Sequence, residues 1–265
     1  MSLSRRTPSK PPGLSGFVVS KNCLSLDYCI TECINSLLPI CQEVVVGEMG
    51  SDDGTREFLD KWAAVEPRLH VVSIRDWTKE RCSMTWYTSA LNETREYLQY
   101  ASAVNLDADE VLGDDFTTHE IVLKAAREMR AIALDRLNFA RDAKSLIPEH
   151  HCLGKYVVRV GPSNLWWPSD EPHQRGEVPL LDAATITPDA KIFHLGFLRK
   201  PEAFFKKARV VLGAFFDNYD SRLAEAEEKG LSPLAKFPWF DRLEPYNGRY
   251  PDSVRKWLTE RGFLP

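Results

Sequence analysis

Two carboxylates stand two residues apart in Leu106-Asp107-Ala108-Asp109-Glu110, directly after a short apolar run. At the carboxyl end of a strand, such a pair faces the crevice where open α/β sheets bind their ligands. Carboxylate oxygens suit Mg2+ or Mn2+, ions that usually bridge to substrate phosphates rather than sit in an all-protein cage. By itself the pair reads first as an ordinary acidic turn, since such turns after strands are common. A second cluster, Glu48-Met-Gly-Ser-Asp-Asp-Gly-Thr55, follows a β-branched run and opens a helix. Glu48 can accept hydrogen bonds from a nucleobase or ribose edge. Gly50 and Gly54 permit a tight backbone path, and Ser51 or Asp52 can cap the next helix. Neither a Walker loop nor a G-x-G-x-x-G fingerprint is present.

The elements that must position these clusters alternate. Strand patterns over residues 16–20, 43–47, 69–74 and 103–106 are separated by helical patterns over 26–38, 55–64 and 86–100. That alternation predicts a parallel sheet with covering helices. A helix over 118–129 and a strand over 131–139 follow. Residues 142–189 read as loop-rich, 191–195 as a short strand, and the chain from 201 as helical with breaks at 230–233 and 245–251. The first residues are polar and basic with three prolines, which reads as a disordered leader over 1–15. A main domain over 16–200 and a helical extension over 201–265 complete the expected organisation.

At 265 residues and 30.2 kDa, the chain has room for one large domain or a domain with an appendage. Apolar residues at 43% and charged residues at 27% exclude wholesale disorder and fibrous repeats. The net charge of −4 gives no global attraction to DNA or anionic lipid. No apolar run approaches the roughly 18–20 residues of a membrane helix. The six cysteines form no C-x-x-C pair and read as small buried hydrophobes in a reduced cytoplasm rather than a zinc site.

Taken in order, the motifs resemble the start of a family 2 glycosyltransferase with the GT-A fold. They are Phe17-Val-Val-Ser-Lys-Asn22, Glu32-Cys-Ile-Asn-Ser-Leu-Leu-Pro39, the Glu48–Thr55 cluster, Asn92 fifteen residues before Asp107, and Leu106-Asp-Ala-Asp-Glu110. The resemblance is close over residues 16–112. It continues loosely through Trp166-Trp-Pro-Ser-Asp170, Gln174-Arg175 and Ile192-Phe-His-Leu-Gly196, and the stretch from Trp166 to Arg175 is similar to a segment of lipopolysaccharide-core sugar transferases.

This resemblance implies an α/β fold with a mixed, Rossmann-like sheet, flanking helices and a helical C-terminal extension. It implies a UDP- or GDP-linked sugar donor bound by Ser20, Asn22, Glu48, Asp53, Asn92 and Asp107. Mn2+ or Mg2+ is expected on Asp109 and His194. Asp170 or Glu171 would be the catalytic base, and Trp166, Trp167 and Arg175 would meet the acceptor. The implied reaction is metal-dependent transfer to a saccharide hydroxyl, with inversion, by a cytoplasmic protein that can sit peripherally on the inner membrane face. A DNA-base acceptor, as in some phage enzymes, and a nucleotide-sugar-binding module without turnover are the alternatives. Two departures stand out: Glu48 replaces an aspartate, and Leu91 replaces a basic residue. The cluster Arg199, Lys200, Lys206, Lys207 and Arg209 beside Phe204-Phe205 reads as a solvated helix face, or as a surface for a membrane or an anionic acceptor.

Overall fold

Short runs of β-branched and apolar residues build the centre of the sheet. Strands β1 (Leu14–Ser20), β2 (Glu43–Glu48) and β4 (Ser102–Leu106) are buried along their whole lengths, as strands covered on both faces must be. The computed structural model describes residues 10–76, 85–148, 156–164, 185–211, 224–225, 228–229 and 240–264.

Strand β1 lies between β2 and β4 and is parallel to both, with Ser20 opposite Glu48 and Val18 opposite Leu106. Strand β3 (Leu69–Ser73) extends the parallel set beyond β2. The chain therefore moves outward on one side of β1 and then returns to its other side. This reversal makes the carboxyl ends of β1 and β4 the expected ligand crevice. Beyond β4 the sheet turns mixed. Strand β8 (Tyr156–Pro162) is antiparallel to β4, and β6 (Ile132–Ala140) is antiparallel to β8. Strand β9 (Thr185–Phe197) runs parallel to β6 and antiparallel to the short β5 (Glu110–Leu112). Two-residue strands β7 (Ser145–Leu146) and β10 (Glu244–Pro245) close the far edge.

The helices cover the two faces according to the strand period of two. Val18, Val44 and Val46 pack with Ile30, Cys33, Ile34 and Leu37 of α1 (Ile30–Leu37) and with Val122 and Ala125 of α4 (Phe116–Arg127). Leu59 of α2 (Thr55–Ala63) joins them. Phe17, Val19 and Val45 point to the opposite face and meet Ala90 and Leu91 of α3 (Thr85–Arg95). A third cluster joins Phe139 and Phe193, stacked with ring centroids 6.1 Å apart, to Tyr246, Tyr250 and Trp257. It docks α6 (Asp252–Glu260) onto the sheet through Val254, Trp257 and Leu258. Helix α5 (Pro201–Val211) follows β9 directly. None of the described helices is long and apolar enough to cross a membrane.

Several boundaries differ from the sequence expectation. Residues before 16 take part in the fold: β1 starts at Leu14, and the Pro11 carbonyl accepts from the Ala101 amide at 2.9 Å. Residues 1–9 lie outside the described residues. Helix α1 starts at Ile30 rather than 26, because Asp27 turns the chain with a left-handed φ of 52°. Strand β8 occupies part of the expected loop, and β9 is 13 residues long rather than five. Cys23, Cys29, Cys33 and Cys41 are buried free thiols, as expected, whereas Cys82 and Cys152 lie outside the described residues.

Candidate functional site

The acidic turn between β4 and β5 is clamped by its own backbone and by α1. The Glu110 amide donates to the Asp107 carbonyl at 2.9 Å, and the Asp107 amide donates to Glu110 Oε2 at 3.0 Å. From beneath, Cys33 Sγ sits 3.4 Å from the Asp107 carbonyl, and Ser36 Oγ accepts from the Leu112 amide at 3.0 Å. Burial pushes the Cys29 and Cys33 thiols up, so both stay neutral supports rather than nucleophiles.

Asp107 and Glu110 face a buried cationic pair from the mixed half of the sheet. Arg159 Nη2 lies 2.8 Å from Asp107 Oδ2 and 2.8 Å from Glu110 Oε2, while its Nη1 donates to Asn105 Oδ1 at 2.8 Å. Arg136 Nε is 2.7 Å from Glu110 Oε1, an ion-pair contact without the angle of a hydrogen bond. The Tyr87 hydroxyl donates to Asp107 Oδ1. Two carboxylates thus meet two guanidiniums, which keeps the buried cluster electrically balanced. Burial raises the Glu110 carboxyl, and the Arg159 charge opposes that rise. Asp107 is therefore committed to protein partners at the base of the crevice.

Asp109 turns the other way. Its Oδ2 accepts from Arg199 Nη2 and from Lys207 Nζ, each at 2.6 Å. Its Oδ1 is 3.7 Å from His194 Nε2. The antiparallel pairing of β5 with β9 sets His194 opposite Glu110, and the Leu195 amide donates to the Asp109 carbonyl at 2.9 Å. Gly196 makes this approach possible: a Cβ there would stand 2.5 Å from His194 Nε2 and 2.6 Å from Asp109 Oδ2.

Arg199 is immobilised. Its Nε donates to the Gly196 carbonyl at 2.7 Å, its Nη1 to the Leu26 carbonyl, and its guanidinium lies 4.0 Å over the Tyr28 ring. Burial alone would raise the Asp109 carboxyl, but the Lys207 and Arg199 charges hold it well below the usual carboxylate range. Burial and the neighbouring Arg199 bring the Lys207 ammonium down to about 8 against the pull of Asp109. Burial, helped by Arg136, pushes His194 well below its ordinary value, which leaves the ring neutral.

The fold brings Asp109 and His194 together as the resemblance implied, but their surroundings do not fit a divalent ion. The outward carboxylate oxygen is already shared by two cationic nitrogens. Two unit charges about 4 Å apart repel by roughly 4 kcal/mol at a protein-like dielectric, and a divalent ion beside two cations faces several times that. His194 is a poor ligand here for a second reason. A ring ligating through Nε2 carries its proton on Nδ1 and donates it to an acceptor. His194 Nδ1 is buried without a hydrogen-bond partner among the described residues. No set of three or more His, Cys, Asp or Glu side chains with metal-holding geometry occurs among the described residues either.

The other expected donor-site residues gather at the same sheet edge, mostly as architecture. Glu48 accepts from the Gly50 amide at 2.9 Å and the Ser51 amide at 2.8 Å, so the longer side chain folds back over its own turn. Asp53, rather than Ser51 or Asp52, holds the start of α2: it accepts from the Thr55 amide at 3.0 Å and hydroxyl at 2.6 Å, and from the Ser25 amide at 2.7 Å. Asn22, at a left-handed φ of 51°, stitches the two loops by accepting from the Asp52 amide at 3.0 Å. Ser20 ends β1 with a buried hydroxyl that has no hydrogen-bond partner among the described residues. Asn92 is buried on α3 beside Leu91, which is fully enclosed in the core. A basic residue would be out of place there. Trp166, Trp167, Asp170, Glu171 and Arg175 lie outside the described residues.

The basic run divides between the interior and the solvent. Arg199 and Lys207 turn inward, and Phe204 and Phe205 are buried, so the aromatic pair cannot enter a membrane. Lys200, Lys206 and Arg209 are the solvated part. Arg136, Arg159 and Tyr87 were not anticipated. For Arg159 the signal was available: a single arginine interrupts the apolar run Tyr156-Val-Val-Arg-Val160.

No family model matches the chain, and no curated protein matches it. Among solved structures, TarS of S. aureus is similar at 15% identity and a TM-score of 0.47, covering 85% of this chain and 44% of that one. A TarS structure of residues 1–349 in complex with UDP-GlcNAc aligns at 14% identity and a TM-score of 0.42, over 85% of this chain and 73% of that one. GalNAc-T7 with UDP, GalNAc and Mn2+ aligns at 10% identity and a TM-score of 0.44, over 94% of this chain and 55% of that one. The chain thus spans less than half the length of the full TarS chain.

Proposed function

We propose that the chain is a glycosyltransferase that moves a sugar from a nucleoside diphosphate to a hydroxyl acceptor. One observation carries the reading. Three of the motifs that resemble a family 2 enzyme, Phe17–Asn22, Glu48–Thr55 and Leu106–Glu110, are far apart in sequence yet run off the carboxyl ends of the neighbouring strands β1, β2 and β4, where the strand order reverses. That is the place where an open α/β sheet accepts a nucleotide. Ser20 offers a buried hydroxyl there, and the Glu48–Thr55 turn offers a rigid, stitched rim.

In the proposed reaction the bond from the anomeric carbon to the diphosphate oxygen breaks, and its electron pair leaves with the β-phosphate. The acceptor oxygen forms the new bond from the opposite face, which inverts the centre. Its proton passes to a carboxylate, for which Asp170 and Glu171 are the candidates. Charge developing on the leaving group needs positive groups fixed in advance. The acceptor is a saccharide hydroxyl in this reading, as the Trp166–Arg175 segment resembles lipopolysaccharide-core enzymes.

A screen of UDP- and GDP-sugars, read by release of the nucleoside diphosphate, tests the proposal. Slow release with water as acceptor, quickened by a saccharide acceptor, is the expected result. A second reading, a binding module without turnover, is favoured by the commitment of Glu48 and Asp53 to turn hydrogen bonds. It predicts saturable binding of the same donors with no release under any condition.

A further inference from the structure

The cation count around Asp109 leaves a surplus. Arg199, Lys207 and Asp109 together carry one net positive charge, at the edge where the strand order reverses. The two cations differ in freedom. The Arg199 side chain is 1% exposed and is spent on the Gly196 and Leu26 carbonyls, Asp109 and the Tyr28 ring. The Lys207 side chain is 19% exposed, and its ammonium bears three N–H groups, of which Asp109 takes one. Tyr28 lies beneath it, with the ammonium 4.9 Å from the ring centroid. Lys207 is thus a cation aimed by a buried carboxylate, backed by a second cation, with donors left for an anion.

We propose that Lys207, set by Asp109 and Arg199, is the diphosphate-binding cation of the donor site and takes the place of a divalent metal. The inference rests on the glycosyltransferase reading and specifies how that site carries charge. As the bond to the anomeric carbon breaks, its electrons pass to the β-phosphate oxygen, and a Lys207 N–H donates a hydrogen bond to that oxygen. Lys207 itself gives up no proton; the acceptor oxygen supplies the new bond to the anomeric carbon, and its proton goes to the carboxylate base. Asp109 and Arg199 are positioning residues. A charge-assisted hydrogen bond of this type is about twice as strong as a neutral one, and the buried backing keeps it in place before the substrate arrives.

Calorimetric binding of UDP and GDP to the full chain, in EDTA and again in Mn2+, separates the possibilities. The expected result is binding of one of them in EDTA, with an affinity that Mn2+ changes by less than about threefold, well under the tenfold that corresponds to 1.4 kcal/mol. Lys207→Met should weaken that binding about tenfold or more while Lys207→Arg restores most of it. Thermal unfolding of each variant checks that the fold is retained. Should Lys207→Met not fold, the EDTA comparison on the unaltered chain and the arginine variant still decide. Binding that appears only with Mn2+ and is indifferent to Lys207→Met would overturn the inference and leave the donor site standing. Binding of neither nucleotide under either condition would remove both.

Discussion

Asp109 has partners in space that its neighbours in sequence do not announce. In the string Asp-Ala-Asp-Glu it is one of three acids in a turn, which invites a metal. In space its partners are Arg199 and Lys207, 90 and 98 residues away. Local spacing carries no information about such partners. The same holds for Asp107, whose pairing with Arg159 depends on a strand in a region that reads as loop. The acids themselves were legible, because a carboxylate pair at a strand end has a defined location.

Asp109→Asn leaves two buried or half-buried cations without their counter-charge. It should cost about 3–5 kcal/mol of stability, the usual penalty for breaking a buried ion pair. Urea unfolding will measure it. Lys206→Ala, on the solvated side of α5, should stay within about 0.5 kcal/mol of the unaltered chain. Equal midpoints for these two variants would mean that the Asp109 cluster is not buried as described.

At the scale of elements, the readable strands were those made of β-branched runs, since β1, β2 and β4 are covered on both faces. Strand β5 was hidden because its first residue, Glu110, belongs to the acidic motif. The first part of β9, Thr185 to Asp189, is largely exposed and carries a proline, so no apolar period marks it. Helix α4 has a clear start that spacing alone placed two residues late. Asp115 caps it, accepting from the Thr118 amide at 2.8 Å and hydroxyl at 2.7 Å.

Asp115→Ala should destabilise the fold by about 1 kcal/mol. Burial would raise the Asp115 carboxyl, but these hydrogen bonds lower it overall. Its contribution is therefore fully present above the unfolded-state aspartate value and is lost as pH falls through the lower, folded value. The gap between the two proteins should be constant near neutrality and should close in acid. A gap that widened with acidification would contradict the cap. Gly196→Ala tests the β5–β9 approach: the added Cβ displaces His194 or Asp109 and should cost about 1–3 kcal/mol, seen as a lowered Tm.

At the scale of the molecule, the N-terminal half was readable because strands and helices alternate, and that alternation permits few sheet topologies. In the mixed half, β6 and the end of β9 were legible as single strands, but β8, the first part of β9 and the strand order were not, since antiparallel pairing follows no such rhythm. The C-terminal residues were expected as helix, and what holds them is an aromatic cluster in which Phe139 and Phe193 of the sheet meet Tyr246, Tyr250 and Trp257 of the C-terminal segment. Trp257 is 2% exposed against Phe139, Phe193 and Tyr250 and their neighbours. Trp257→Ala should cost about 3–5 kcal/mol. Fluorescence and circular dichroism of the unaltered chain should give one coincident transition through these residues and the sheet.

The donor crevice at the carboxyl ends of β1 and β4 is the central claim, and a crystal structure with a bound nucleoside diphosphate tests it most directly. The expected position of the diphosphate is within hydrogen-bond distance of Lys207 Nζ, beside the turn that carries Asp107 and Asp109. A diphosphate seated elsewhere, with Lys207 still turned onto Asp109 and no phosphate near it, would contradict the account.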